Sequence, residues 1–182
     1  MQRNTPLMPD NALPHWNERP PSAAITTLLI HSISAPQRAN AYDPAACIEL
    51  LDLHRVAAHY LIDREGRIRP LVLEEHRAWH AGESKLPDSL GGTRGVNDFS
   101  IGVELIGADT EPFTSQQYQS LAALTAEIQA RHPLQAVLGH QHVAEPPGRK
   151  TDPGPQFDWE RLRAEALQFS GATAGLRFPQ DL

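Results

Sequence analysis

Between Gly139 and Pro155 the chain sets His140, His142, Lys150 and Asp152 in a run crowded with proline and glycine. That density excludes a regular helix or a central strand, so the run reads as a rigid loop that presents side chains. Imidazole together with carboxylate suits a zinc ion. Lys150 stands two residues before Asp152 and would place a second positive charge beside any bound metal. Electrostatics opposes that placement, so function is the reason to tolerate it. His31 closes an apolar, β-branched run and is the third candidate ligand. Catalytic zinc usually keeps three protein ligands and one open position, and His31, His140 and Asp152 would form such a set. Glu104 interrupts an otherwise apolar strand and is the candidate general base, with Lys150 the candidate donor to an oxyanion.

Each residue alone has an ordinary reading. A histidine at a strand end is most often a hydrogen-bonded structural residue, Glu104 reads equally as an exposed residue of an edge strand, and a lone lysine is usually solvated. His140 and His142 alternate in one segment, so at most one of them points at a metal. The strand-end position after Gly139 favours His140. No spacing matches a strong local motif such as His-Glu-x-x-His.

The elements that must carry these residues follow from pattern. Ile25–Ile33 is nearly all apolar and predicts a buried central strand ending at His31, where open α/β sheets commonly place ligands. Asp43-Pro44 predicts a helix cap and first turn, with the helix running to about His54. Residues 57–62 and 68–73 predict a hairpin turned at Gly66. Residues 83–95 read as a loop and 100–107 as a strand. Thr114 to Gln117 is a capping-box signature for a helix with Tyr118, Leu121, Ala122, Thr125 and Ile128 on one face. Residues 136–139 predict a short strand leading into His140, and Asp158 caps a last helix. This order predicts one α/β domain: a mixed central β-sheet flanked by helices. Residues 1–22 are expected to be an irregular lead-in, 23–169 the catalytic domain, and 170–182 a loose tail.

Composition removes other classes. A net charge of −6 argues against binding nucleic acid by phosphate neutralisation. Cys47, the single cysteine, allows no intrachain disulfide and reads as a buried small apolar residue. No apolar run approaches the ~20 residues of a membrane span. Residues 1–21 lack a hydrophobic signal region, which predicts a cytosolic location.

Four ordered blocks resemble one family: Leu29-Ile30-His31-Ser32-Ile33-Ser34, Arg77-Ala78-Trp79-His80-Ala81-Gly82, Asn97-Asp98-Phe99 running into Ser100–Leu105, and Gly148-Arg149-Lys150-Thr151-Asp152-Pro153-Gly154-Pro155. The chain is similar, from about Pro14 to Leu167, to the zinc-dependent N-acetylmuramoyl-L-alanine amidases. Within them it most resembles the AmpD type, which acts on 1,6-anhydro-muropeptides in the bacterial cytosol. The wider fold group includes the peptidoglycan recognition proteins. The resemblance implies a zinc ion on His31, His140 and Asp152, with Glu104 and Lys150 catalytic. It implies substrate contacts from Arg55, from the backbone at Ala78, from Ser32 and from Arg94, and it leaves Trp79 and His80 mainly structural. Ser32 stands where the family usually has Asn. Arg94 sits one residue before the usual arginine position, which Gly95 occupies. The loop after His140 is about two residues longer than usual, and the segment 35–53 is shorter. The expected partner is a muropeptide and the expected state a monomer. The alternatives are an amidase acting on intact wall and a non-catalytic peptidoglycan-binding module; retention of all three ligand candidates with Glu104 and Lys150 favours an enzyme.

Overall fold

The computed structural model describes residues 12–169 and 175–182. Among the described residues, seven strands and three α-helices follow in chain order: β1 (Trp16–Glu18), β2 (Thr27–Ile33), α1 (Pro44–Leu53), β3 (Tyr60–Ile62), β4 (Ile68–Pro70), β5 (His76–Ala78), β6 (Ser100–Ile106), α2 (Ser115–Arg131), β7 (Ala136–Gly139) and α3 (Trp159–Phe169). The main sheet has the order β4-β3-β6-β2-β7. β2 runs parallel to both β6 and β7, β3 runs parallel to β6, and only β4 is antiparallel. The predicted mixed α/β architecture is the observed one.

Local chemistry sets the helix starts. The Asp43 carboxylate accepts the Ala46 N–H at 3.0 Å and Pro44 occupies the first turn of α1. Thr114 and Gln117 close the capping box of α2. Asp158 accepts the Arg161 N–H at 2.9 Å at the start of α3. Cys47 is buried in α1.

Period two then sorts the central strands. Leu28 and Ile30 of β2, Ile101, Val103 and Leu105 of β6, and Val137 of β7 face one side, packed with buried residues of α2 and α3. The opposite side carries Leu29 and Leu138 in a second cluster under the segment around Ala81 and Val96. His31, Gly102, Glu104 and Ala136 share that parity, so the alternation that builds the core also aims His31 and Glu104 away from α2 and α3, onto the face that α1 covers.

Two expectations change. The lead-in is not irregular throughout: β1 pairs antiparallel with β5, Trp16 opposite Ala78. Arg19 fastens it, donating to the carbonyls of Glu74, Asn97, Asp98 and Ser100 at 2.8 to 3.1 Å. The tail, within its described residues 175–182, is not loose either. Val137 N–H donates to the Arg177 carbonyl and Arg177 N–H to the Gln135 carbonyl, which lays the tail along β7. Leu176 and Phe178 are buried in the helix-side core, Phe178 at 1% exposure. Apolar burial, which the polar neighbours in sequence hide, outweighs the entropy of ordering these residues. Phe178→Ala should therefore destabilise the protein by about 3–5 kcal/mol, read as a lowered urea midpoint; a change below about 1 kcal/mol would return the tail to the loose state.

Candidate metal and catalytic site

The C-terminal ends of three parallel strands meet at one edge of the sheet. His31 lies near the end of β2, Glu104 is its direct neighbour on β6, and His140 follows β7. The loop after His140 brings Asp152 back over them. His31 Nδ1, His140 Nδ1 and Asp152 Oδ2 form a near-equilateral triangle with sides of 3.1, 3.0 and 3.2 Å. The second ring nitrogens are used elsewhere: His140 Nε2 lies 3.0 Å from the Ala81 carbonyl and His31 Nε2 lies 3.0 Å from His80 Nδ1. A carbonyl only accepts, so His140 carries a proton on Nε2, and the tautomer with that single proton turns the Nδ1 lone pair to the triangle.

Electrostatics leaves the triangle short of positive charge. Burial pushes His31 down to about 4, against the opposing pull of Asp152, so it is neutral at neutral pH. For Asp152, burial alone would raise the pKa, but the two imidazoles that face it, His140 and His31, outweigh burial and hold the carboxyl well below the usual range. Acceptor atoms at such distances repel unless a cation sits among them. Ligand bonds of ~2.0–2.2 Å in a tetrahedral site imply edges of about 3.3–3.6 Å, a little longer than the sides of this triangle, so a small shift of the side chains would let the three atoms hold one small metal ion.

That cavity, of about 400 Å³, is lined by the trio with Ser32, His80, Glu104 and Lys150 on the polar side, and by Leu50, Leu51, His54, Val56 and Ala57 from α1 and its exit on the other. Glu104 is 8% exposed, on a central strand and not an edge. Burial, then the charge of Asp152, push it up to about 8, with Lys150 pulling it back. Its Oε2 is buried without a hydrogen-bond partner. A lone carboxylate oxygen beside a metal-sized cluster is placed to exchange a proton.

The expected residues distribute as follows. His31, His140, Asp152, Glu104, Lys150 and Ser32 line one cavity. His142 does not join the trio: the Gly139 N–H donates to its Nδ1 at 2.9 Å and its ring packs edge-on to Trp159. Arg55 is exposed and directly follows the α1 residues of the cavity wall. Ala78 does not reach the cavity, because its side chain is wholly buried with α1 residues and its backbone pairs with Trp16. Arg94 is also elsewhere, ion-paired with Glu145 over a separate depression formed with Gly82, Ser84 and Gly95. Three contributors escaped the sequence reading. His54 lines the cavity. Asn97 accepts the Ala81 N–H at 2.8 Å and Arg149 donates to the Ala81 carbonyl at 3.1 Å, so both fix the carbonyl that orients His140. The family-like blocks holding Asn97 and Arg149 were the available signal.

A mixed sheet with an imidazole–carboxylate trio that could hold a metal ion, and a buried free carboxylate beside it at the parallel strand ends, is an arrangement that suits a metal-dependent hydrolase. The family model for N-acetylmuramoyl-L-alanine amidase matches residues 21–155, and the chain belongs to that family. It is similar to the 1,6-anhydro-N-acetylmuramyl-L-alanine amidase AmpD of Citrobacter freundii, 43% identical over 169 residues that cover 83% of this chain and 86% of that protein. A crystal structure of an AmpD derivative superposes with a TM-score of 0.69 at 39% identity, covering 85% of this chain and 91% of that one. The Escherichia coli amidase AmiD, in complex with anhydro-N-acetylmuramic acid-L-Ala-D-gamma-Glu-L-Lys, superposes with a TM-score of 0.65 at 30% identity, covering 91% of this chain and 63% of that one. The chain is an N-acetylmuramoyl-L-alanine amidase. No helix among the described residues is long and apolar enough to cross a membrane.

The triangle makes a specific demand on metal retention. His31→Ala and Asp152→Ala should each abolish tight binding of about one metal ion per chain, while His142→Ala should keep it. Elemental analysis of dialysed protein reads the difference; metal lost from His142→Ala and kept in His140→Ala would assign the wrong histidine.

Proposed function

We propose that the chain is a zinc amidase that cleaves the amide between the lactyl group of 1,6-anhydro-N-acetylmuramic acid and L-alanine, freeing the peptide from soluble muropeptides in peptidoglycan recycling. The observation that carries this reading is the unpartnered Oε2 of buried Glu104, next to three converging lone pairs in one cavity. His31, His140 and Asp152 would hold the zinc, a borderline-soft ion suited to mixed imidazole and carboxylate donors. Zinc supplies a Lewis acid that polarises the amide carbonyl and acidifies water. Glu104 takes the proton of the attacking water at Oε2 and delivers it to the departing L-alanine nitrogen, so the amide bond breaks as the new carboxyl forms. The Lys150 ammonium, at the cavity mouth, stabilises the negative charge that develops on the carbonyl oxygen. Leu50 and Val56 give the cavity an apolar wall against which the substrate would pack. Names of relatives support the anhydro-sugar form of the substrate, as does the AmiD complex.

Arg55 supports the peptide side of this assignment by its backbone. α1 ends in a Schellman pattern: Val56 N–H donates to the Leu51 carbonyl and Arg55 N–H to the Asp52 carbonyl. Arg55 takes the left-handed position there, with φ 54°, where glycine is the usual residue. Keeping arginine at that position costs about 1 kcal/mol. A guanidinium held at the rim for a peptide carboxylate accounts for the cost.

Two tests follow. The first compares kcat/KM on anhydromuramoyl-peptide with digestion of intact sacculi, for the native chain and for Glu104→Gln and Lys150→Ala loaded with zinc. Each variant should keep its metal and lose turnover by a factor on the order of 10² or more. Normal turnover would remove that residue from the mechanism, and digestion of sacculi without activity on anhydro-muropeptides would replace recycling with wall lysis. In the second, Arg55→Gly should lower kcat/KM by roughly 1.5–3 kcal/mol while stability holds or rises by up to about 1 kcal/mol. Equal kcat/KM on peptides with and without a free carboxylate, in native and variant alike, would release Arg55 from substrate binding.

A further inference from the structure

His31 has an inner neighbour as well as an outer one. Its Nδ1 faces His140 and Asp152, while its Nε2 lies 3.0 Å from Nδ1 of His80. A neutral imidazole with its lone pair turned to the cluster must carry its proton on Nε2. That proton can only be given to His80, so His80 Nδ1 accepts it. The proton of His80 then sits on Nε2, which lies 3.2 Å from Ser100 Oγ, a hydroxyl that accepts it. One assignment of protons satisfies the chain His31 to His80 to Ser100, and every member is buried, Ser100 completely.

The ring of His80 has little room to adopt another pose. It lies on Gly102, where a Cβ would come within 2.6 Å of its Cγ. His59 packs against it edge-on at 5.6 Å, and His59 is itself held by the Gly102 N–H at 2.9 Å. Asn97 Oδ1 accepts the backbone N–H of His80 at 3.3 Å and of Ala81 at 2.8 Å. Consecutive residues thus orient both histidines of the trio, His80 through its side chain and Ala81 through its carbonyl.

We propose that His80 is a positioning residue for the metal site, fixing His31 in the tautomer and ring plane whose Nδ1 lone pair faces His140 and Asp152, with Ser100 fixing the tautomer of His80 in turn. This rests on the reading of His31, His140 and Asp152 as zinc ligands. A packing role alone would need only a side chain of similar volume, whereas this role needs an acceptor at the position of Nδ1. Asparagine can place its Oδ1 there and leucine cannot.

The experiment uses the full chain as native protein, His80→Asn, His80→Leu and Ser100→Ala. Nitrogen-15 NMR of the metal-free protein reads the histidine tautomers, and competition with a chromophoric chelator reads zinc affinity. Native His31 should be the Nε2–H tautomer before any metal is added. His80→Leu should populate both tautomers and weaken zinc binding 10- to 100-fold. His80→Asn should restore affinity to within about 3-fold and hold His31 as Nε2–H. Ser100→Ala leaves His80 in place and should give a mixed His80 tautomer, which keeps the test open should the leucine variant not fold. Zinc affinity in folded His80→Leu within about 3-fold of native, equal losses in the asparagine and leucine variants, or a single unchanged His80 tautomer in Ser100→Ala would overturn the proposal. A native chain that takes up no zinc would overturn the metal reading instead.

Discussion

Three acceptor atoms within hydrogen-bonding distance of one another are a repulsive arrangement, and the rest of the molecule is organised to impose it. One lone pair rides on β2 and a second directly follows β7, strands that the parallel sheet holds in register. The third arrives on a loop whose prolines restrict its backbone. The far side of each imidazole is tied, one to a side chain and one to a backbone carbonyl, so neither ring can turn its lone pair away. A cation held by the trio would relieve that repulsion, and its binding would then be coupled to the stability of the strand ends.

Glu104 is the complementary constraint. Its buried carboxyl lacks a compensating hydrogen bond on one oxygen, a cost that packing elsewhere must offset. The neighbouring anion Asp152 adds to that cost and Lys150 relieves part of it. A lysine close to a cationic centre, which looks misplaced from the sequence alone, becomes reasonable once a buried carboxylate is counted among its neighbours.

Where the sequence carried period or capping chemistry, it was readable. His31 and Glu104 lie on strands whose alternation shows which face they share, and Thr114 with Gln117 announces α2. The three-residue strands β1 and β5 have no period to read, and their pairing depends on Arg19 reaching carbonyls far along the chain. His140 and His142 could not be separated by alternation because they lie in a 3₁₀ turn, which rotates His142 onto Trp159. Whether Glu104 was exposed or buried depended on strand order, a property of the whole sheet. Ala78 and Arg94 were placed by resemblance alone; the first belongs to the core under α1 and the second to an ion pair with Glu145.

The backbone of Arg177 alongside β7 has a consequence of its own. β7 is the last strand of the sheet, and a bare last strand offers unpaired N–H and C=O groups to any other chain. The tail occupies these groups next to the strand that delivers His140, with the Arg177 side chain reaching across to the Ser89 carbonyl. A bare β7 would offer these groups for strand addition by another chain; the Arg177 backbone takes up the Val137 N–H and the Gln135 carbonyl and so blunts that edge.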